Sequence, residues 1–437
     1  MREMKHSGIE WIGEIPKDWD KGHLKYYTQI KTGGTPSTSN QVWFDGDVLW
    51  FTPGDFDNIL LNDSKRKLSN LAVLFRVANL FPANTTMIVG IGGTAGKVGY
   101  TIKESYCNQQ ITALINKSNT YPKYITYLMF CFSDVLKDNA LYTTLPILNN
   151  QFIGNFSICI PKKLSEQRKI ADYLDTKCSE IDATAENIQK EISLLEEYKK
   201  SVITEAVTKG LNPDAEMKDS GIEWIGDINR KASLCRLKFF SYMKGRIGWQ
   251  GLKSEDFIDN GPYCVTGTDF INGKINWDTC YHVSEERYKM DSNIQLKIGD
   301  LLVTKDGTIG KLAKVTELPE KACLNSHLLI IRPLNERFTN EYLYYVISSD
   351  VFVRYYKYSS TGSTMESLSQ EKLGNFIFPV YDLLSQQQIV DYLDSKCSEI
   401  ETLIADKKRQ LDILADYKKS LIYEYVTGKK EVPVKDF

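Results

Sequence analysis

The sequence predicts an α+β protein. Two mixed α/β globular domains in a pseudo-twofold arrangement are separated by two long antiparallel coiled-coil helices. Three observations predict it. The phrase SGIEWIG stands at residues 7–13 and returns at 220–226. Two apolar heptad runs follow the same order in each half of the chain. Between them lie blocks of short β-type runs broken by turn residues.

The repeat is longer than its opening phrase. Met4–Gly13 and Met217–Gly226 differ only at His6 against Asp219. YLDTKCSEI (173–181) matches YLDSKCSEI (392–400), and YKKS recurs at 198–201 and 417–420. The middles have diverged. GTAGK (93–97) faces GTIGK (307–311), Asp55-Phe56 faces Asp269-Phe270, Asn108 faces Asn325, and GNF recurs at 154–156 and 374–376. A repeat of half the chain means two like domains and not a solenoid. The expected divisions are an N-terminal repeat segment 1–19, a first domain 20–162, a helix 163–210, a linker 211–228, a second domain 229–382, a helix 383–428 and a tail 429–437.

Framed from Ala171, the a and d positions of the first helix are apolar at ten of eleven sites, Lys199 excepted; Leu174, Ile181, Ile188, Ile192 and Leu195 form the stripe. In the second helix Leu393, Ile400, Ile404, Leu411 and Leu414 do so, interrupted by Lys407 and Lys418. Five such heptads argue for coiled-coil pairing, and halves related by a twofold make it antiparallel. Ser165 is the expected N-cap of the first helix, and Ser385 with Gln388 a capping box for the second. Gly210 and Gly428 stand where a helix-ending glycine belongs. At about 1.5 Å per residue each helix is roughly 65–70 Å long.

Within the domains, strands are expected at 48–52, 85–92, 111–115, 301–305 and 328–333, and helices at 121–133 and 340–356. The tips GTAGK and GTIGK read as hairpin turns carrying a lysine.

Composition narrows the function. With 42% apolar and 25% charged residues the chain is globular rather than disordered. A net charge of −2 restricts any nucleic-acid site to a local patch. Nine Cys without a CxxC pair and four scattered His point to a reducing cytoplasm and argue against a zinc site. The N-terminus lacks the apolar core of a signal peptide, and no apolar run is long enough to span a membrane.

Two stretches after the doubled phrase are basic and free of acids: 21–42, with Lys21, Lys25 and Lys31, and 231–253, with Lys231, Arg236, Lys238, Lys244, Arg246 and Lys253. Lys and Arg supply phosphate contacts, and glycines allow close backbone approach. Arg246, Gln250 and Asn325 are residue types that read base edges, and Trp249 can stack or wedge. Catalytic motifs fail by contrast. A phosphate loop would need Gly at position 91, which is Ile, and Ser or Thr after Lys97, where Val98 stands. Asn212-Pro213 runs on to Asp214, so no adenine-methylation tetrad is present, and the acids of 213–218 are too closely spaced for a nuclease site. No catalytic residue and no metal site is expected. A self-contained nuclease or methyltransferase, or a coiled-coil scaffold that binds only protein, are the rival readings.

The segments SGIEWIGEIPKDW, KTGGTPS, KGRIGWQGL, LLVTKDGTIGK, EQRKIADYLD and YKKSVITEAVTKG together resemble the specificity (S) subunit of type I restriction-modification systems, over nearly the whole chain. The resemblance implies two target recognition domains, each reading one half of a split, asymmetric double-stranded DNA site. It implies helices that set the spacer and dock two modification (methyltransferase) subunits, with restriction subunits joining the assembly. S-adenosylmethionine, ATP and Mg²⁺ would belong to those partners, and this chain would bind none of them. Carried over by position, Lys31, Thr32, Gly33, Gly34, Thr35, Thr94 and Lys97 would face DNA in the first domain. Lys244, Arg246, Trp249, Gln250, Lys305, Thr308 and Lys311 would do so in the second. SGIEWIG then reads as a structural joint with Trp11 and Trp224 as buried anchors, its first copy docking near residues 426–428.

Overall fold

The structure, a computed structural model, describes residues 2–142, 146–246, 252, 254–360 and 367–433. Two compact units divide the chain: Met1–Ile188 with Arg409–Phe437, and Gln189–Lys408. The expected divisions treated the long helices as segments of their own; instead each unit takes half of each.

The first unit contains β1 (Thr28–Thr32), β2 (Phe44–Phe51), α1 (Asn70–Leu74), β3 (Thr85–Val89), β4 (Val98–Thr101), β5 (Ser105–Cys107), β6 (Ile111–Asn116) and α2 (Pro122–Cys131). One sheet has the order β1-β6-β3-β4, all antiparallel. A second places β2 beside β5 in parallel, with short edge strands Lys67–Leu68 and Leu80–Phe81. β3 is buried along its whole length: Met87, Ile88 and Val89 are apolar, and the hydroxyls of Thr85 and Thr86 are satisfied by the Pro82 carbonyl and Thr126.

The second unit repeats the plan with β7 (Ser241–Lys244), β8 (Phe257–Val265), α3 (Glu285–Lys289), β9 (Leu301–Thr304), β10 (Leu312–Lys314), β11 (Ala322–Leu324), β12 (Leu328–Pro333), α4 (Asn340–Ser348) and α5 (Asp350–Ser360). Its main sheet begins β7-β12-β9-β10, and β8 pairs with β11 in parallel. The register matches that of the first unit. Lys31 stands opposite Ala113 and Lys244 opposite Ile330, the positions that the Asn108/Asn325 correspondence makes equivalent. The helix expected over 340–356 is two helices. Buried Ser349 ends the first by donating to the Val346 carbonyl, and Asp350 N turns to Thr204 Oγ1 at 2.9 Å.

The long helices run Leu164–Lys209 and Leu383–Val426. Of the ten stripe residues, Leu174, Ile188, Ile192, Leu393, Ile400 and Ile404 are buried, while Ile181, Leu195, Leu411 and Leu414 are half-buried. The three lysines that interrupt the stripe each find an acid on the opposite helix. Lys418 pairs with Asp182 at 2.6 Å in the first unit; Lys199 pairs with Glu401 and Lys407 with Glu191 in the second. In the second unit the partner's number falls as the other's rises, and in the first Tyr425 Oη donates to Tyr173 Oη at 3.2 Å, so the helix halves within each unit are antiparallel. These exposed pairs add little stability but penalise a slipped register.

Ser385 does not cap the second helix, because the helix begins two residues earlier. Asp382 takes the role: its carboxylate accepts from Ser385 N and Oγ, each at 2.9 Å, and the backbone amide holds it below the usual carboxylate range. Ser165 likewise lies inside the first helix. At the far ends Gly210 (φ +77°) and Gly428 (φ +70°) terminate the helices as expected.

SGIEWIG is the loop of a hairpin in both units. Met4–His6 pairs with Glu14–Pro16, and Met217–Asp219 with Asp227–Asn229. Its two glycines hold φ values of +69° and +72° in the first copy and +68° and +73° in the second, which explains why both are kept. The tryptophans are not the buried anchors. Trp11 and Trp224 are half-buried, whereas Ile12 and Ile225 are buried. Trp11 lies on Phe156 with ring centroids 5.3 Å apart. The expected docking does occur in the first unit. Ile9, Ile12 and Ile15 share a core with Leu421, Ile422 and Val426, and Tyr423 Oη donates to the Ile12 carbonyl at 3.1 Å. In the second unit Ile225 and Ile228 pack on Ile203, Ala206 and Val207.

Candidate nucleic-acid interface

In each unit one end of the main sheet gathers most of the residues that sequence reasoning assigned to DNA. In the first, β1 runs out into Lys31–Thr35, β6 begins after Asn108–Gln110, and the tip 90–97 joins β3 to β4. Backbone bonds tie the three together: Gly33 N to Ile111 O at 2.9 Å, Gly34 N to Cys107 O at 2.8 Å, and Gly90 N to Gln110 O at 2.7 Å. A Cβ on Gly33 would lie 2.3 Å from the carbonyl oxygens of Cys107 and Asn108, so only glycine fits. Asn150 Oδ1 accepts from Thr32 Oγ1 and Thr112 Oγ1, and Asn79 Nδ2 donates to Thr32 O at 3.0 Å. Lys31, Thr94 and Lys97 are exposed; Thr32, Gly33, Gly34 and Thr35 are half-buried.

In the second unit the same end carries Lys244–Arg246 after β7, Asn325–His327 before β12, and the tip 305–311 between β9 and β10. Lys305 N donates to His327 O, and Asn325 N to Val265 O, both at 2.9 Å. The latter bond repeats Asn108 N to Phe51 O in the first unit. Thr308 and Lys311 are exposed, Lys244 and Lys305 half-buried. Trp249 and Gln250 lie outside the described residues.

Arg246 is a correction. Expected to read base edges, it is 3% exposed. Its Nε donates to Leu324 O at 3.0 Å and one terminal nitrogen to Cys323 Sγ at 3.4 Å. The Cys323 thiol sits below its ordinary value, held there first by a hydrogen bond from Cys264 and then, against the effect of burial, by the guanidinium. Part of the expected basicity is also structural. Lys25 and Lys238, equivalent in the repeat, each hold an asparagine, Asn155 at 2.7 Å and Asn375 at 2.8 Å. The tip lysines are braced as well: Lys97 donates to Phe56 O at 3.1 Å and Lys311 to Gly267 O at 3.0 Å. They stiffen the hairpins while remaining on the surface.

Sequence reasoning missed exposed Gln109, which accepts from Thr35, and His327, whose Nδ1 lies 3.1 Å from Asp306 Oδ2. Their adjacency to Asn108 and Asn325 was the available signal. It also missed Gln167 and Gln386, both fully buried in the first turns of the long helices. Gln167 accepts from Tyr121 N at 2.8 Å and donates to Asn119 O and Pro161 O. Gln386 does the same with Thr339 N, Arg337 O and Tyr381 O. Each thereby fastens its domain to its helix.

Among the described residues no group of His, Cys, Asp and Glu is placed to hold a metal, and no helix is long and apolar enough to cross a membrane.

Two matching recognition ends on paired long helices define a bipartite binding protein. The family model of the type I restriction modification DNA specificity domain matches residues 16–194 and 250–411, and the chain belongs to this family. It is 25% identical to the type I restriction enzyme MjaIX specificity subunit of Methanocaldococcus jannaschii, over 96% of this chain and 95% of that protein. It is 28% identical to the EcoR124I/EcoR124II specificity subunit of Escherichia coli over 44% and 46% of the two chains. A chain from a solved type I R-M system superposes with a TM-score of 0.64 at 15% identity, covering 95% of this chain and 99% of that one, which shows a shared fold.

Proposed function

We propose that this chain is the DNA-recognition subunit of a type I restriction-modification complex and does no chemistry itself. Each recognition end reads one half of a split site. The observation that carries this is the matching register: Lys31 with Lys244, Asn108 with Asn325 and Lys97 with Lys311 share one scaffold, while the residues around them differ. Equal scaffolds with unequal side chains suit two unlike half-sites. Backbone phosphates supply affinity to the lysines, and base edges supply specificity to the neighbouring polar side chains.

The continuous long helices set the gap of unread base pairs. They also carry the partner surface. Leu194 and Tyr198 are 63% and 56% exposed, and Ile413 and Tyr417, at the same places in the other copy, are 60% and 55% exposed. An apolar pair presented twice suits two copies of one partner, the modification subunit, which brings S-adenosylmethionine. Restriction subunits join with ATP and Mg²⁺. The test is deletion of one heptad from each long helix, read by mapping methylated sites in cells. The gap should change, or recognition should be lost, with the half-sites themselves unaltered. An unchanged gap with full activity would refute the spacer role, and turnover by the purified chain alone would refute the non-catalytic one.

A further inference from the structure

The first unit shows a surface that none of the assigned residues explains. At α1 and the turn after it, Leu71 is 46% exposed, Leu74 is 74% and Phe75 is 65%, and Val42 nearby is 56%. Trp43 supports Phe75 edge-on at 5.8 Å. The tip is built and not frayed: Ser69 caps α1 by accepting from Ala72 N, and Ala72 beneath it is buried. Arg76 follows at φ +50°, a conformation that a non-glycine residue adopts only under constraint.

Two features relate this apolar tip to nucleic acid. Asn79 reaches from the same turn to the Thr32 carbonyl, and Ala78 lies 3.7 Å from where a Gly34 Cβ would stand, so the tip is continuous with the Lys31–Thr35 loop. The charge within it is positive: Arg76 forms no ion pair among the described residues. Arg66 stacks on Phe44 at 4.2 Å, and Phe44 pairs with Leu68 beside the Ser69 cap. The acids Asp45 and Asp47 flank Gly46, which packs on Ser69 at the other end of α1.

The repeat supplies the discriminating comparison. α3 holds the equivalent place, with Ser284 capping it as Ser69 caps α1. There α3 is charged: Arg287 pairs with Asp256 at 2.7 Å and Glu285 with Lys321 at 2.6 Å. Met290 is the one exposed apolar residue described on α3 and the position after it, with Ile258 and Tyr281 44% and 52% exposed on the strands beside it. A subunit that bound both halves alike would meet the same surface twice, as at Tyr198 and Tyr417. A surface that differs between the halves suits a target that differs between the halves.

We propose that Leu74, Phe75 and Arg76 are specificity-determining residues of the first unit. The two apolar side chains contact thymine methyl groups or wedge a base step of the first half-site, and Arg76 binds the adjacent phosphate. This rests on the DNA reading above. Two variants of the full chain, assembled with its modification subunits, test it: Leu74→Ser with Phe75→Ser, and Arg76→Gly. The first should lose at least about fivefold in affinity for the native site and relax the first half-site alone. The second should lower affinity and reduce the salt slope by about one, with melting unchanged or raised because glycine suits φ +50°. Unchanged affinity and sequence preference in both variants would overturn the proposal. Unchanged DNA reading with lost assembly would overturn it in favour of a protein-docking surface. If the wild-type complex reads no split site, the DNA reading itself fails, and this inference with it.

Discussion

In the first unit Trp50 and Tyr106, paired across β2 and β5, fill the sheet beneath a glycine loop; in the second, Cys264 and Cys323 hold those positions and Arg246 reaches down from the loop. The bond that closes the loop changes owner accordingly. Cys107 O accepts from the Gly34 backbone, and its equivalent Leu324 O accepts from the Arg246 side chain. Trp50 Nε1 in turn donates upward to Gly34 O at 3.1 Å. Volume removed from the sheet is returned by the loop, which keeps the interior close-packed. Two recognition ends can therefore share a backbone while presenting different surfaces.

This comparison can be broken by exchanging its residues. The largest effect is expected at Gly33→Ala, where a methyl group would meet two backbone oxygens that cannot move independently. We expect a loss of about 3 kcal/mol in the first unit, measured by denaturant unfolding. Arg246→Gly should lose about 2–3 kcal/mol in the second unit, because the Leu324 carbonyl loses its partner and a cavity opens. An Arg246 variant that unfolds like wild type yet loses DNA reading would contradict the structural role assigned here. Gln167→Leu and Gln386→Leu should each cost about 2 kcal/mol, since three backbone groups in either unit, one buried and two partly buried, lose partners. Unequal losses would show that the two joints are not equivalent. The smallest effect belongs to Asp382→Ala. The folded carboxylate is held below its ordinary value of 3.8, so its contribution is present above that value and fades as pH falls below it. The variant's melting deficit at neutral pH should disappear in acid.

Much of this was legible along the chain. The heptad stripes, the helix-ending glycines and the strand at 328–333 follow from periodicity and turn chemistry, which act over a few residues. Arg246 was not legible, because what turns it inward is the small size of Cys264 and Cys323, distant in sequence. Trp11 and Trp224 read as the buried anchors of a structural joint, but the loop geometry set by two left-handed glycines points the isoleucines inward instead. The division of each long helix between two units was hidden because heptads report a buried stripe and not what covers it. The lysines at stripe positions looked like defects until their partners on the other helix appeared. The shared scaffold of the recognition ends was visible only as faint echoes, since hydrogen bonds made by the backbone leave little trace in residue identity.

The central claim is that two like scaffolds with unlike surfaces read two unlike half-sites. Its most direct test is a genome-wide map of methylated bases in cells carrying the native chain and its modification subunits. The account predicts two different half-sequences separated by a fixed gap of unspecified bases. A continuous site, or a palindrome with identical halves, would contradict it.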